Sequence, residues 1–194
     1  MIAHIQGKVT HRSPTYVIID CGGVGYGIQI SLNTYEKMGD SEALKLLTVL
    51  SIKEDSHTLY GFADEEERSL FLLLISVSGV GTNTARMILS SIKPADIKLA
   101  ILNGNWAILK TIKGIGPKTA QRLVIDLQDK LKKVESPELL QNAQFRNPAY
   151  EEALAALVML GFGRAEAEKG LSKIRQQNPE SSVEQLVKLT LKTL

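Results

Sequence analysis

The sequence predicts a multidomain α+β chain: an N-terminal five-stranded OB-fold β-barrel, a central all-α segment and a C-terminal three-helix bundle. Three observations predict it. Apolar residues alternate with period two up to residue 62 and then switch to a helical period. A stretch without strong period, holding Pro137 and the amides Gln141, Asn142 and Gln144, separates the helical region from a last apolar segment. Within the helical region, a ten-residue pattern recurs at an offset of 35.

Strands are expected over Ile2 to Val9, Tyr16 to Asp20, Tyr26 to Ile30, Leu44 to Lys53 and Thr58 to Phe62. Leu44, Leu46, Leu50 and Ile52 should share one face of the fourth, and a short helix fits Leu32 to Lys37. Five strands in about sixty residues suit a small closed barrel, because closure removes unpaired edges. Asp64 followed by Glu67 reads as a capping-box-like helix start. Further helices should start near Thr82, Pro94, Asn105 and Pro117; proline suits a first helical position, where an amide would lack a partner anyway. Residues 134–147 read as a flexible linker. Three short helices follow, near Ala149–Leu160, Arg164–Gln176 and Ser182–Lys192. The expected domains are therefore 1–62, 63–133 and 148–194.

Charge narrows the function. The chain of 194 residues has a net charge of only +2, but residues 68–133 hold 11 basic groups against 3 acidic ones. A basic middle between slightly acidic ends suits a localised contact with phosphates. No apolar run is long enough to span a bilayer, no signal peptide is evident at the N-terminus, and the single Cys21 can form no intramolecular disulfide, so a cytoplasmic location is expected. His4, His11 and His57 lack metal-ligand spacing, so neither a metal nor a cofactor is expected. Cys21 and Trp106 read as packed side chains rather than a nucleophile and a base-stacking platform.

The repeat pairs Ser76-Val77-Ser78-Gly79-Val80-Gly81-Thr82-Asn83-Thr84-Ala85 with Thr111-Ile112-Lys113-Gly114-Ile115-Gly116-Pro117-Lys118-Thr119-Ala120. Paired glycines permit positive φ and close approach of a backbone to a surface. Val80 and Ile115 between them can anchor each turn in the core. The amides that open the next helix have no intrahelical partner and point outward with the positive end of the dipole, ready for an anion. Lys113, Lys118 and Arg122 add charge around the second copy. The first has Ser78, Thr82 and Asn83 there, with Arg86 nearby. Such a cradle grips phosphate without reading bases.

This Gly-hydrophobic-Gly-x-x-Thr-Ala pattern resembles the helix-hairpin-helix elements of DNA-binding proteins. The whole order resembles the RuvA family of Holliday-junction-binding subunits. The matching stretches are Met1-Ile2-Ala3-His4-Ile5-Gln6-Gly7, Gly22-Gly23-Val24-Gly25-Tyr26, Lys53-Glu54-Asp55 leading to Leu59-Tyr60-Gly61-Phe62, the two hairpins, and Ala155 to Phe162. The resemblance implies a double helix-hairpin-helix domain contacting four-way junction DNA through residues 79–84 and 114–119 with Lys113 and Arg122. It implies an acidic pin at Glu54 and Asp55, and a UBA-like C-terminal domain whose Leu157, Leu160, Phe162 and Leu191 contact the hexameric RuvB ATPase. It further implies a homotetramer, with room for a second tetramer and for the RuvC resolvase, and no catalysis by the chain itself. Two features depart from the family pattern: the first hairpin lacks the lysine that many members carry after the second glycine, with Thr82 and Asn83 standing there, and Lys53 replaces the commoner arginine.

Other classes fit less well. A helix-hairpin-helix glycosylase needs a catalytic aspartate beyond the hairpin, and Asp126 lies mid-helix only ten residues past Gly116. A P-loop fails because Pro117 occupies the place of its second glycine. A general DNA-binding scaffold that tethers another repair enzyme would share the hairpins, and would bind linear duplex as well as junctions.

Overall fold

The structure, a computed structural model, describes residues 1–135, 148–177 and 181–193. Residues 1–134 form one compact unit and 135–194 another.

The first unit starts with strands β1 (His4–Ser13), β2 (Tyr16–Asp20), β3 (Gly25–Ile30), β4 (Ala43–Ile52) and β5 (His57–Phe62), with helix α1 (Leu32–Met38) between β3 and β4. They close in the order β1-β2-β3-β5-β4, with β3 and β5 parallel and the other pairs antiparallel. β1 closes the barrel by pairing with both β2 and β4. It runs four residues beyond the expected Val9, and a register shift between Val9 and His11 lets it curve between its two partners. Gly7 is required there, because a Cβ would lie 2.1 Å from the Asp20 carbonyl oxygen.

Val17, Ile19, Ile28, Ile30, Leu46 and Leu59 fill the barrel, and Met38 of α1 joins them. Leu44 and Leu50 pack against this core as expected, but Ile52 is 67% exposed. Ile52 ends the strand beside the β4–β5 turn, where no further strand covers it. β5 is buried on both faces: Leu59 enters the barrel core, while Tyr60 and Phe62 enter the core of the helical layer. Apolar residues on both faces of one strand are the mark of a strand sandwiched between two cores.

The helical layer comprises α2 (Glu65–Ile75), α3 (Thr82–Ser91), α4 (Pro94–Leu102), α5 (Trp106–Lys110) and α6 (Pro117–Glu135). Phe71 of α2 is fully buried against the rings of Tyr60 and Phe62, at centroid distances of 5.2 and 4.9 Å. Asn33 donates to the carbonyls of Leu89 and Ile92, tying α1 to the end of α3.

The capping box expected at residue 64 is only half present. The Asp64 carboxylate accepts from the Glu67 amide at 2.9 Å, but the Glu67 side chain does not return to the cap. It is fully buried and accepts from the hydroxyls of Ser31 and Thr34, the latter at 2.7 Å. Burial pushes its carboxyl above the ordinary value despite those two bonds. Beside it, Lys37 bonds Asp64 at 2.5 Å. That bond raises the lysine, and with the Glu67 amide it outweighs burial and holds Asp64 below its usual range.

α6 continues through Glu135, two residues into the expected linker, and the rest of that segment lies outside the described residues. The second unit holds α7 (Pro148–Met159), α8 (Arg164–Gln177) and α9 (Val183–Thr190) around Ala153, Leu154, Leu157, Ala167, Leu171, Ile174 and Leu186. Among the described residues, no helix is long and apolar enough to cross a membrane.

Candidate nucleic-acid interface

The 35-residue repeat is a repeat of geometry down to single hydrogen bonds. In the first copy, Val77 and Val80 are buried, and the Val80 amide donates to the Val77 carbonyl at 3.0 Å. In the second, Ile112 and Ile115 are buried, and the equivalent bond is 3.1 Å. Gly79 and Gly114 both have φ of 89°. The next helix closes its first turn by Ala85 N–H to Gly81 C=O in one copy and Ala120 N–H to Gly116 C=O in the other, both at 2.9 Å. Ala85 and Ala120 are fully buried, where a larger side chain would lift the helix from the core.

The two glycines of each hairpin have different reasons. Gly79 and Gly114 need the left-handed region. Gly81 is extended, at φ −83° and ψ 170°, and Gly116 does not have positive φ. A Cβ at Gly81 or Gly116 would meet nothing within 4 Å. Apart from glycine's fitness as a helix N-cap, nothing within the protomer requires it there, and the space beside each turn is open to a partner. The amides of Thr82, Asn83 and Thr84 open α3 with no side-chain cap, and those of Lys118 and Thr119 open α6. Both sets are free to meet an anion.

The side chains around the two copies differ. Lys113, Lys118 and Arg122 are exposed at the second. Arg122 reaches Asp126 only at 3.8 Å, a surface pair of little strength. At the first copy, Thr82 and Asn83 turn toward the Tyr60 hydroxyl. Arg86, expected near the first hairpin, instead donates to the carbonyls of Thr15 and Ile30 on the barrel, at 3.2 and 3.4 Å. One turn along α3 from the hairpin, its side chain faces the barrel rather than the turn.

Glu54 and Asp55 are exposed on the four-residue turn between β4 and β5, which Lys53 N–H to Ser56 C=O closes at 2.8 Å. Among the described residues, no group of three or more His, Cys, Asp or Glu is placed to hold a metal ion.

In the second unit, Leu157 is fully buried and part of the core, so its side chain does not reach the surface. Phe162 is partly buried against the same core. Gly161, at φ 99°, ends α7 in a Schellman motif, with Phe162 N–H to Leu157 C=O at 3.2 Å and Gly161 N–H to Val158 C=O at 3.0 Å. That motif folds Phe162 back toward the core. Leu160 and Leu191 are 60% and 41% exposed; Val158 and the more prominent Met159, which the sequence reading did not single out, are exposed too, at 42% and 88%. The hydrogen-bond partners of Tyr60, Glu67 and Arg86 also escaped it, because they lie more than twenty residues away along the chain.

A closed five-stranded barrel joined to paired hairpins of one geometry, with uncapped helix amides in a basic segment, defines a structure-gripping DNA-binding protein. Family models match residues 1–61 (RuvA N terminal domain), 71–129 (SAM-like helix-hairpin-helix tandem) and 148–194 (RuvA, C-terminal domain). Proteins called Holliday junction branch migration complex subunit RuvA are similar over full length. Those of Christiangramia forsetii and Flavobacterium psychrophilum are 50% and 51% identical, with all of both chains covered. That of Bacteroides thetaiotaomicron is 47% identical, again with both chains fully covered. The chain belongs to the RuvA family.

Proposed function

We propose that this chain binds four-way DNA junctions by their backbone as a homotetramer, holds them open, and loads the hexameric RuvB ATPase for branch migration in cytoplasmic recombination and repair. It catalyses no reaction; ATP hydrolysis belongs to the partner. The observation that carries this reading is the repeated hairpin, with outward amides and a second glycine beside which the protomer leaves open space. In this reading residues 1–62 supply the tetramer contacts and the acidic pin, 63–133 grip the arms, and 148–194 hold the motor. Gly79, Val80, Gly81, Thr82, Asn83 and Thr84 form one grip. Lys113, Gly114, Ile115, Gly116, Pro117, Lys118, Thr119 and Arg122 form the other.

The test is a salt titration of binding to a four-way junction and to linear duplex of the same sequences. The junction should be preferred by about a hundredfold, with affinity falling steeply as salt rises. Equal affinity would leave the hairpins as generic clamps and favour the tethering scaffold.

The pin makes its own prediction. Four copies would bring eight carboxylates to the symmetry axis, where they repel continuous duplex. Glu54→Gln with Asp55→Asn should retain junction binding, while junction-over-duplex preference falls about three- to tenfold. Unchanged discrimination and unchanged migration rate would remove this role.

The C-terminal unit makes another. Leu160→Asp with Leu191→Asp should abolish stimulation of branch migration by the motor. Junction binding should stay intact, and because both side chains are exposed the melting temperature should move little. Phe162→Ala is the less clean probe, since Phe162 also packs on the bundle core. Full stimulation in the double variant would place the motor contact elsewhere.

A further inference from the structure

The two hairpins share a backbone geometry but not a way of being held. At the second, the residues after the second glycine, Pro117 and Lys118, are exposed, and the ammonium of Lys118 has no ion-pair partner among the described residues. At the first, the equivalent residues Thr82 and Asn83 are tied to the barrel. The Tyr60 hydroxyl lies 2.9 Å from Thr82 Oγ1 and 3.3 Å from Asn83 Oδ1, carrying a single proton that it can donate to either.

Tyr60 is well placed to act as a fixed post. It is only 4% exposed, its ring stacks at a tilt on the fully buried Phe71, and its backbone sits in β5 between Val49 of β4 and Gln29 of β3. A tyrosine held by two strands and a core ring has little freedom left, so its hydroxyl offers a rigid anchor. The anchor acts on the first two residues of α3, whose amides are among those that meet the anion.

We infer that Tyr60 is a positioning residue for DNA binding: it pre-orders the first hairpin from the barrel side, where the second hairpin relies on lysine charge. The inference rests on the hairpins gripping DNA backbone. Pre-ordering lowers the cost of fixing a loop on binding and adds no counterion release. Loss of the anchor should therefore weaken binding at every salt concentration alike, whereas loss of Lys118 should flatten the salt dependence.

The experiment uses the full chain and a synthetic four-way junction. Tyr60→Phe keeps the ring packing and removes only the hydroxyl. It should weaken junction binding about three- to tenfold, as expected for one lost part-buried hydrogen bond, with the slope of log affinity against log salt unchanged. Thr82→Val should reproduce the loss from the other end. In a Gly81→Val background, which already blocks the first hairpin, Tyr60→Phe should add nothing; in a Gly116→Val background it should have its full effect. Wild-type binding by Tyr60→Phe, or an equal loss in both backgrounds, would overturn the inference, the latter by showing a general structural effect. If Gly81→Val itself leaves binding unchanged, the grip reading of that hairpin fails. If Gly81→Val weakens binding but Tyr60→Phe does not, only the positioning role fails.

Discussion

A chain carrying Gly81→Val and Gly116→Val together should fold as the parent does and lose junction affinity by about a hundredfold or more. The expectation follows from the two kinds of glycine in each hairpin. Gly81 has an extended backbone that valine adopts readily, Gly116 does not have positive φ, and a Cβ at either site meets nothing within 4 Å. The cost to folding is that of a poorer helix cap, about 1 kcal/mol per site. On the binding side, the branched side chain would stand in the path that the proposed grip gives a phosphate to the amides. Each charge-assisted bond is worth about 1.5–3 kcal/mol, so losing one per hairpin already reaches the stated loss. Gly79→Val and Gly114→Val are the contrast: their φ of 89° strains any L side chain, so they should lower stability first. A junction titration beside a thermal melt separates the two pairs. Near-parental affinity in Gly81→Val/Gly116→Val would mean that DNA does not approach these turns.

The second large effect concerns stability. Glu67→Leu should destabilise the first unit by about 2–4 kcal/mol, because it leaves the buried hydroxyls of Ser31 and Thr34 without their acceptor. Glu67→Gln keeps an acceptor and a similar shape and should cost far less. The same carboxyl gives a pH dependence with a definite sign. Burial raises its folded pKa above the model value of 4.5, so the folded state holds the proton more tightly than the unfolded state. Its contribution to stability is therefore complete below 4.5 and is lost as pH rises through the raised folded value. Asp64 runs the other way. Held below 3.8, it contributes above that value and loses its contribution as pH falls through the lowered one. Lys37, raised above 10.5, contributes below that value and loses its contribution only as pH rises through the raised one. Chemical denaturation of parent and Glu67→Gln between pH 4.5 and 9 isolates the glutamate: the parent should lose stability relative to the variant as pH rises, then level off. A constant difference across that range would show that Glu67 stays ionised in the folded state.

Period and punctuation in the sequence determined much of this protein. The five strands, the four-residue turn carrying Glu54 and Asp55, and the helix starts at Thr82, Pro94 and Pro117 all follow from local pattern, because each depends on residues within a few positions of one another. The hairpins were legible for the same reason. Their glycines, apolar anchors and buried alanines lie within ten residues, and the second copy supplied its own control.

What only the tertiary structure decided were the partners. Glu67 belongs to a hydrogen-bond network with Ser31 and Thr34, more than thirty residues upstream, and its spacing from Asp64 alone suggested a cap. Arg86 faces the barrel rather than the hairpin, and Tyr60, within the expected strand Thr58 to Phe62, reaches Thr82. In the second unit, the Schellman turn at Gly161 sends Phe162 back toward the core and leaves Leu160 outside, while Leu157 is enclosed. A buried polar group or an apolar side chain takes its role from what packing brings against it. Short-range spacing specifies the element that carries the residue, and only the folded arrangement of those elements specifies which face becomes interior.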